Sequence, residues 1–179
     1  MRFPVLLFAA VLVLGAGSAH ADGRLRGRVP RPPVVLVAQA VPTASCKVTE
    51  IKATKEKKGI DAKLKWLAAP LGKGPFKLYD TYTLLSEATP AAPKDKPVEA
   101  VLSDKSKVTL IYKGPSEVKG GKTRIRIEVD IDDAGGTRVQ QAVQTFDSGE
   151  TVFVRVDEFP GKTAEQDWAH IDALTCTVP

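Results

Sequence analysis

The clearest pattern in the chain is an alternation of apolar and charged residues between positions 124 and 132. Ile125, Ile127, Val129 and Ile131 are apolar, and the residues between them are all charged. Successive side chains of a β-strand point to opposite faces of the sheet. This segment is therefore predicted to be a strand with one face in a core and the other in solvent.

Seven other segments have a strand-like pattern, with β-branched or aromatic residues and turn-forming Gly, Pro, Asp or Ser between them. The eight segments are residues 47–54, 76–85, 98–102, 108–112, 124–132, 137–146, 152–156 and 167–178. Residues 89–97 contain three prolines and are predicted to be a loop. The short connections favour antiparallel pairing of consecutive strands.

One segment has the spacing of a helix instead. Apolar residues recur along one helical face at Ile60, Leu64, Leu67 and Leu71. Asp61 is a suitable N-cap, and Pro70 with Gly72 ends the element within about three turns. Trp66 is expected at the edge of this helix. The pattern as a whole predicts a mainly β fold, an antiparallel β-sandwich or partly open barrel of about seven or eight strands with one short N-terminal helix.

The first 21 residues predict a signal peptide. Met1 and Arg2 precede an apolar run from Phe3 to Leu14, small residues follow, and Ala19-His20-Ala21 has the form of a cleavage site. A membrane anchor is the alternative, but the run has 12 residues and a helix needs about 20 to cross a bilayer. We therefore expect an exported chain, periplasmic or secreted, without a transmembrane span.

Much of the positive charge lies between the signal peptide and the predicted domain. Residues 22–45 contain four arginines and one acidic residue, whereas residues 46–179 contain 21 basic and 20 acidic residues. A nucleic-acid-binding domain carries its positive charge on its folded surface, so nucleic acid is not an expected partner. Residues 22–45 are predicted to be an Arg/Pro-rich arm or linker, and an inert leader is favoured over a tether to an anionic surface. The arginines of this candidate electrostatic arm are Arg24, Arg26, Arg28 and Arg31.

The chain has two cysteines, Cys46 and Cys176. Export would take both into an oxidising compartment, which predicts a disulfide between the start and the end of a single β-rich domain, residues 46–179. Two separate thiols are the alternative. The sequence has no Cys-x-x-Cys motif to favour a redox-active pair.

Several short segments form a further pattern together with the signal peptide. They are Ile51 to Thr54, Gly59 to Leu64, Phe76 to Tyr79, Tyr82, Leu84 and Leu85. This combination resembles an uncharacterised family of short exported proteins of Gram-negative bacteria. The resemblance covers residues 48 to about 157 and implies the fold and export, but no activity, cofactor or catalytic residues. The Cys pair and the extension after Phe159 depart from that pattern.

Two short motifs suggest ligand chemistry and are better explained as turns. The triplets 121–123 and 161–163 match the end of a phosphate-binding loop, but the Gly that opens this motif is absent from both. Clustered carboxylates from Asp130 to Asp133 suggest a calcium loop, but Gln141 stands where the motif needs Glu. We favour a polar strand end that enters a Gly-Gly hairpin, and no cofactor or metal is predicted.

Catalytic chemistry has few candidate residues. After signal cleavage His170 is the one remaining imidazole, and His170 with Asp172 has the spacing of two side chains on one strand face. An orienting pair is one interpretation, and a surface His on an edge strand is favoured because no nucleophile is associated with it. Paired carboxylates for glycoside hydrolysis cannot be identified from spacing alone. No catalytic residue is therefore predicted.

These patterns favour an exported, non-enzymatic binding or structural module of the bacterial cell envelope, with an envelope protein or polysaccharide as partner. The alternative is a carboxylate-dependent hydrolase that acts on an envelope or extracellular polysaccharide. The charged side of the 124–132 strand is a candidate docking surface. Its residues are Arg124, Arg126, Glu128 and Asp130.

Overall fold

The computed structural model describes residues 41–163 and 166–179. The predicted signal peptide and residues 22–40 of the Arg/Pro-rich arm, with its four arginines, lie outside the described residues. Residues 43–45, which were assigned to the arm, belong to the first strand. The described fold belongs to a compact unit that runs from Gln39 to Pro179. Within this part of the chain, no helix has the length and apolar character needed to cross a bilayer.

The described residues form ten strands and three short helical segments. The strands are β1 (Thr43–Thr54), β2 (Gly59–Ile60), β3 (Thr81–Ala88), β4 (Ala91–Pro93), β5 (Pro97–Val101), β6 (Lys107–Lys119), β7 (Lys122–Asp132), β8 (Arg138–Asp147), β9 (Thr151–Phe159) and β10 (Trp168–Thr177). The helical segments are a 3₁₀ helix (Ala62–Leu67), α1 (Ala68–Leu71) and a second 3₁₀ helix (Gly74–Leu78).

The strands form two sheets. Sheet A has the order β2-β3-β1-β10-β9, with β4 paired to β1, and sheet B has the order β5-β6-β7-β8. The mainly β fold and the sandwich-like pair of sheets confirm the prediction at this level. The expected number of about seven or eight strands was too low, because β2 and β4 have two and three residues and are too short to show a period. Strand β4 also interrupts the segment that was predicted to be a loop.

Sheet A is covered on both faces. One face packs against sheet B in a core that includes Val48, Leu110, Ile127 and Leu174. The other face packs against the helical segments, with Ile51 and Ile171 among the buried residues. Strands β1 and β10 are therefore central elements of both cores, and most side chains on both of their faces are buried.

The predicted helix is shorter and less regular than expected. Leu64, Leu67 and Leu71 are buried as predicted, and the Asp61 carboxylate accepts the Lys63 N–H at 2.9 Å. However, Ile60 belongs to β2, and the remainder is a 3₁₀ helix followed by one turn of α-helix. Pro70 within that turn has no N–H to donate, which limits its extension.

The segment from Phe76 to Leu78 was predicted to be part of a strand and is a 3₁₀ turn instead. Phe76 and Tyr79 are both buried, and their spacing of three residues matches one turn of a 3₁₀ helix. The Tyr82 hydroxyl donates a hydrogen bond to the Phe76 carbonyl, which closes the turn against β3. Strand β3 begins only at Thr81.

Candidate functional site

The sheet A face that packs against sheet B changes from apolar to polar partway along β1 and β10. Val48 and Leu174 are register partners in the apolar part, and Glu50 and Asp172 are partners one row further along. Asp172 also pairs with Arg155 on β9, and Glu50 pairs with Ser86 on β3. Side chains two residues apart share a face, so these four polar residues form one row across four strands.

The next row adds an imidazole. His170 on β10 is the register partner of Lys52 on β1 and of Asp157 on β9. From the side of sheet B, the loop between β5 and β6 contributes Asp104. We call the residues that meet here the polar cluster: Glu50, Asp104, Arg155, His170 and Asp172.

Arg155 is the main cation of the polar cluster. Its Nε lies 2.8 Å from Asp172 Oδ2, and its Nη2 lies 3.0 Å from Asp104 Oδ2. A weaker contact joins Nε to Asp157 Oδ2 at 3.5 Å. Nη2 also lies 2.9 Å and 2.7 Å from the two ring nitrogens of His170. The guanidinium thus occupies the space between two carboxylates and the imidazole, where a positive charge is favoured.

His170 is buried, contrary to the prediction of a surface residue on an edge strand. Its strand, β10, lies between β1 and β9, and the residue is 5% exposed. Nε2 lies 3.2 Å from Glu50 Oε1 and 3.3 Å from Asp172 Oδ1, and Nδ1 lies 3.5 Å from Asp104 Oδ2. The less favoured interpretation of the sequence was a contact between His170 and Asp172, and this contact is present as part of a larger buried network.

The two buried carboxylates are only partly hydrogen-bonded. Glu50 Oε2 accepts hydrogen bonds from the Ser86 hydroxyl and from the Ser103 N–H, the latter at 2.8 Å. Glu50 Oε1 and both oxygens of Asp172 lie at ion-pair distance from His170 or Arg155 without an aligned hydrogen-bond donor. Buried polar atoms without such partners are uncommon and energetically costly. The polar cluster is therefore a candidate functional site.

The environment shifts the pKa values of two carboxyl groups in opposite directions. Burial raises the pKa of Asp172, and this effect outweighs the opposing effects of His170 and Arg155. Burial is also the largest single effect on Asp104, but hydrogen bonds from Ser106 and the charge of Arg155 together lower the pKa of that carboxyl. Asp104 is thus held ionised at the outer side of the cluster.

Beyond the polar cluster, the same face of sheet A presents a second group of side chains. We call it the open patch: Lys52, Thr83, Asp157, Phe159 and Trp168. The rings of Phe159 and Trp168 are stacked, with centroids 4.2 Å apart, and Lys52 Nζ lies 5.4 Å from the Trp168 ring. Phe159 is 43% exposed, and Thr83 and Asp157 are also exposed. An aromatic pair and charged side chains therefore share an accessible surface.

The candidate docking surface on β7 is largely neutralised by neighbouring strands. Glu128 pairs with Lys113 at 2.9 Å, Arg124 pairs with Glu117 at 2.9 Å, and Asp130 pairs with Arg138 at 2.9 Å. Arg126 is exposed, Arg124 and Glu128 are half-buried, and Asp130 is buried. The expected exposure of Asp130 was wrong, because Arg138 of the neighbouring strand β8 lies against its carboxylate. Docking through this surface stays a prediction.

The segment with the clustered carboxylates is a hairpin, as the sequence favoured. Strand β7 ends at Asp132 and β8 begins at Arg138. The Asp133 carboxylate accepts the N–H groups of Gly135 and Thr137, both at 2.9 Å, and so closes the turn. Arg138 Nε lies 2.8 Å from Asp132 Oδ1. The carboxylates of this segment thus have structural partners of their own.

The predicted disulfide between Cys46 and Cys176 is present. The two residues are register partners on β1 and β10. The Cys46 N–H donates to the Pro90 carbonyl, and the Cys176 carbonyl accepts from the Gly149 N–H. These two backbone groups thus have hydrogen-bond partners outside the β1–β10 pair. The two cysteine side chains meet in the core between the sheets.

Comparisons with known proteins do not place the chain in a family. No family model, no curated protein and no solved structure matches it.

Glu50, Asp104 and Arg155 were not among the site residues predicted from the sequence. These residues come from three segments far apart in the chain, and only the sheet order brings them together. One signal was available: Glu50 follows Cys46 and Val48 at the same two-residue period, so it belongs to the face that these apolar residues bury.

Proposed function

We propose that this chain is an exported, non-enzymatic binding module of the bacterial cell envelope that contacts its partner through the open patch. The observation that carries the proposal is the stacked pair Phe159 and Trp168 on an accessible sheet face. Aromatic rings supply large contact area with little loss of side-chain entropy, and they are enriched where proteins bind partners.

The composition of the open patch favours a polysaccharide over a protein. Sugar rings combine apolar C–H faces with hydroxyl groups that donate and accept hydrogen bonds. The exposed part of the Phe159 ring suits the apolar faces of sugar rings. On the same sheet face, Lys52 offers a hydrogen-bond donor, Asp157 an acceptor and Thr83 a hydroxyl. An envelope protein that uses the same surface is the other outcome of the test below.

Two features of the chain support export and a binding role. The Cys46–Cys176 disulfide is compatible with an oxidising compartment. Glu50 and Asp172 are both 0% exposed, so a glycan on the surface does not reach them. The raised pKa of Asp172 is the feature that favours the hydrolase alternative, because a general acid needs such a shift.

The test is cosedimentation of the purified chain with separate envelope fractions: peptidoglycan sacculi, lipopolysaccharide vesicles and solubilised envelope protein. Phe159→Ser removes the exposed ring of the patch. Trp66→Ser is the matched control, because Trp66 is 42% exposed against 43% for Phe159, and its ring lies under Lys47 Nζ at 4.9 Å. Trp66 belongs to the helical segments on the other face of sheet A.

We expect the wild type and Trp66→Ser to bind a glycan fraction and Phe159→Ser to bind at least tenfold more weakly. Binding of the protein fraction with the same pattern would identify an envelope protein as the partner. Equal binding by all three chains, or no binding by the wild type, would contradict the proposal. Release of sugar fragments by the wild type but not by Asp172→Asn would favour the hydrolase.

A further inference from the structure

We infer that the polar cluster is a binding site for a divalent transition-metal ion of the zinc class, with Glu50, Asp104 and His170 as protein ligands. One ligand atom from each of these residues lies within 4.8 Å of the others. The ligand residues are not those of the open patch, and Zn²⁺ binding and glycan binding are measured separately, so failure of the proposed function does not imply failure of this inference.

The spacing of the ligand atoms is close to that of a metal site. Zinc binds His nitrogen and carboxylate oxygen at about 2.0–2.2 Å, which in a tetrahedral site places ligand atoms about 3.3–3.6 Å apart. His170 Nε2 lies 3.2 Å from Glu50 Oε1, and its other ring nitrogen, Nδ1, lies 3.5 Å from Asp104 Oδ2. Because one ring nitrogen binds a single ion, the side chains must turn to bring both carboxylates to that nitrogen, starting from ligand atoms that lie within 4.8 Å of one another.

A second observation points to a cation. Glu50 is fully buried, and its Oε1 has no hydrogen-bond partner although it is directed at His170. Burial without hydrogen bonds is costly for a carboxylate oxygen, and a metal ion would satisfy it. The other oxygen, Oε2, is already held by Ser86 and Ser103, so the carboxylate is fixed with Oε1 free to bind.

The surroundings also supply the outer partners that metal ligands need. A metal-bound His donates its other ring N–H to a carboxylate or carbonyl in most sites. Both ring nitrogens of His170 have a carboxylate oxygen within reach, since Asp172 Oδ1 lies 3.3 Å from Nε2 and Asp104 Oδ2 lies 3.5 Å from Nδ1. With Nδ1 as the ligand nitrogen, Asp172 can accept the proton of Nε2, and Asp104 is left to bind the ion.

Arg155 competes with a metal ion for the space between Asp104 and His170. Its Nη2 contacts Asp104 and both ring nitrogens of His170 in the metal-free protein. Metal binding requires Nη2 to leave these groups, while Nε can keep its contacts with Asp172 and Asp157. Asp104 has a 36% exposed side chain, so an ion can enter from the solvent side through the β5–β6 loop.

The choice of zinc-class ions follows from the ligand types. Imidazole suits zinc and its first-row neighbours, whereas calcium and magnesium prefer sites made of oxygen alone. Two carboxylates balance the charge of a divalent ion, and Asp172 with Arg155 form a neutral pair beside it.

The experiment is isothermal titration calorimetry of the purified, oxidised chain with Zn²⁺ after treatment with a chelator, and with Ca²⁺ as the comparison ion. The informative variant is Asp104→Asn, because Asn can retain the oxygen that accepts from the Ser106 N–H at 2.8 Å while an amide NH2 replaces Oδ2, the oxygen that faces His170 and Arg155. The matched control is Asp61→Asn, whose side chain also accepts a backbone N–H, that of Lys63 at 2.9 Å.

We expect one Zn²⁺ per chain, no saturable Ca²⁺ binding in the same range, and a Zn²⁺ affinity at least about tenfold lower for Asp104→Asn, since the loss of even an outer partner of a metal ligand costs that much. Asp61→Asn should bind like the wild type, and His170→Ala should lose binding. Zn²⁺ should also raise the unfolding temperature of the wild type more than that of Asp104→Asn, which keeps the test valid if His170→Ala does not fold. Absence of saturable Zn²⁺ binding, or equal affinities for the wild type and Asp104→Asn, would overturn the inference.

Discussion

Glu50 and Asp172 face each other across the β1–β10 pair, and both are fully buried. Their strands are covered by sheet B on one side and by the helical segments on the other. Two like charges on adjacent strands destabilise a sheet unless cations lie between or beside them. Arg155 and His170 supply the positive charge and polar contacts at this point, so the stability of the central strands depends on them.

Arg155→Met should therefore be strongly destabilising in the metal-free protein. Removing one partner of a buried ion pair leaves an uncompensated charge and costs about 3–5 kcal/mol. Urea unfolding of the wild type and the variant, both with a chelator present, measures this difference. Arg126→Met is the control, because Arg126 is exposed on β7, and its effect should stay within about 0.5 kcal/mol. Equal losses for the two variants would mean that the cluster contributes nothing specific.

Tyr82 should make the fold sensitive to alkaline pH. Burial raises the pKa of its hydroxyl to about 12, and the hydroxyl donates to the Phe76 carbonyl. Between pH 10 and 12 the folded chain keeps this proton while the unfolded chain releases it. The contribution of Tyr82 to stability is therefore complete below pH 10 and is lost as the pH rises toward 12.

The measurement compares the free energy of unfolding of the wild type with that of Tyr82→Phe from pH 8 to pH 12. Below pH 10 the difference should be constant and reflect the lost hydrogen bond, about 0.5–1.5 kcal/mol. Above pH 10 the wild type should lose stability relative to the variant by up to about 1.4 kcal/mol per pH unit. Parallel curves over the whole range would show that the Tyr82 hydroxyl is not held in its neutral form.

The fold was predictable to the extent that its strands show a local period. Strand β7 alternates in sequence and alternates in burial between Ile125 and Val129, because its outer face is in solvent. Strand β10 is buried at most positions, since the helical segments cover the face that would otherwise be wet. A buried His170 could not be inferred from its neighbours in sequence, because the residues that lie against its ring include Glu50 of β1 and Asp104 of the β5–β6 loop, which are distant in the chain.

The polar cluster could not be predicted from the sequence for the same reason. Its residues come from β1, the β5–β6 loop, β9 and β10, and local pattern does not fix which strands become neighbours. The disulfide, in contrast, was predictable because the chain has two cysteines and one possible intramolecular pair. A disulfide with one possible pairing can be inferred from the sequence. A network that could include many of the carboxylates can be inferred only when the order of the strands in the sheet is known.

The helical layer should contribute to stability even though its helices are short. Leu64 is fully buried between the 3₁₀ helix and sheet A, so Leu64→Ala should cost about 2–5 kcal/mol through lost apolar burial and a cavity. Leu78→Ala is the control, because Leu78 lies in the same layer and is 62% exposed. Urea unfolding should separate the two by at least about 2 kcal/mol. A Leu64→Ala variant as stable as Leu78→Ala would show that the helical layer is not part of the cooperative unit.

The disulfide should be a major source of stability for the whole domain. It joins strands whose cysteines are 130 residues apart in sequence, and closing a loop of that length restricts the unfolded chain by up to about 5 kcal/mol. Both cysteines are fully buried in the core between the sheets, so the double substitution Cys46→Ala with Cys176→Ala should lower the free energy of unfolding by about 2–5 kcal/mol. The same loss should follow reduction of the wild type in urea, and the reductant should leave the double variant unchanged. A variant that matches the oxidised wild type would show that β1 and β10 hold their register without the covalent link.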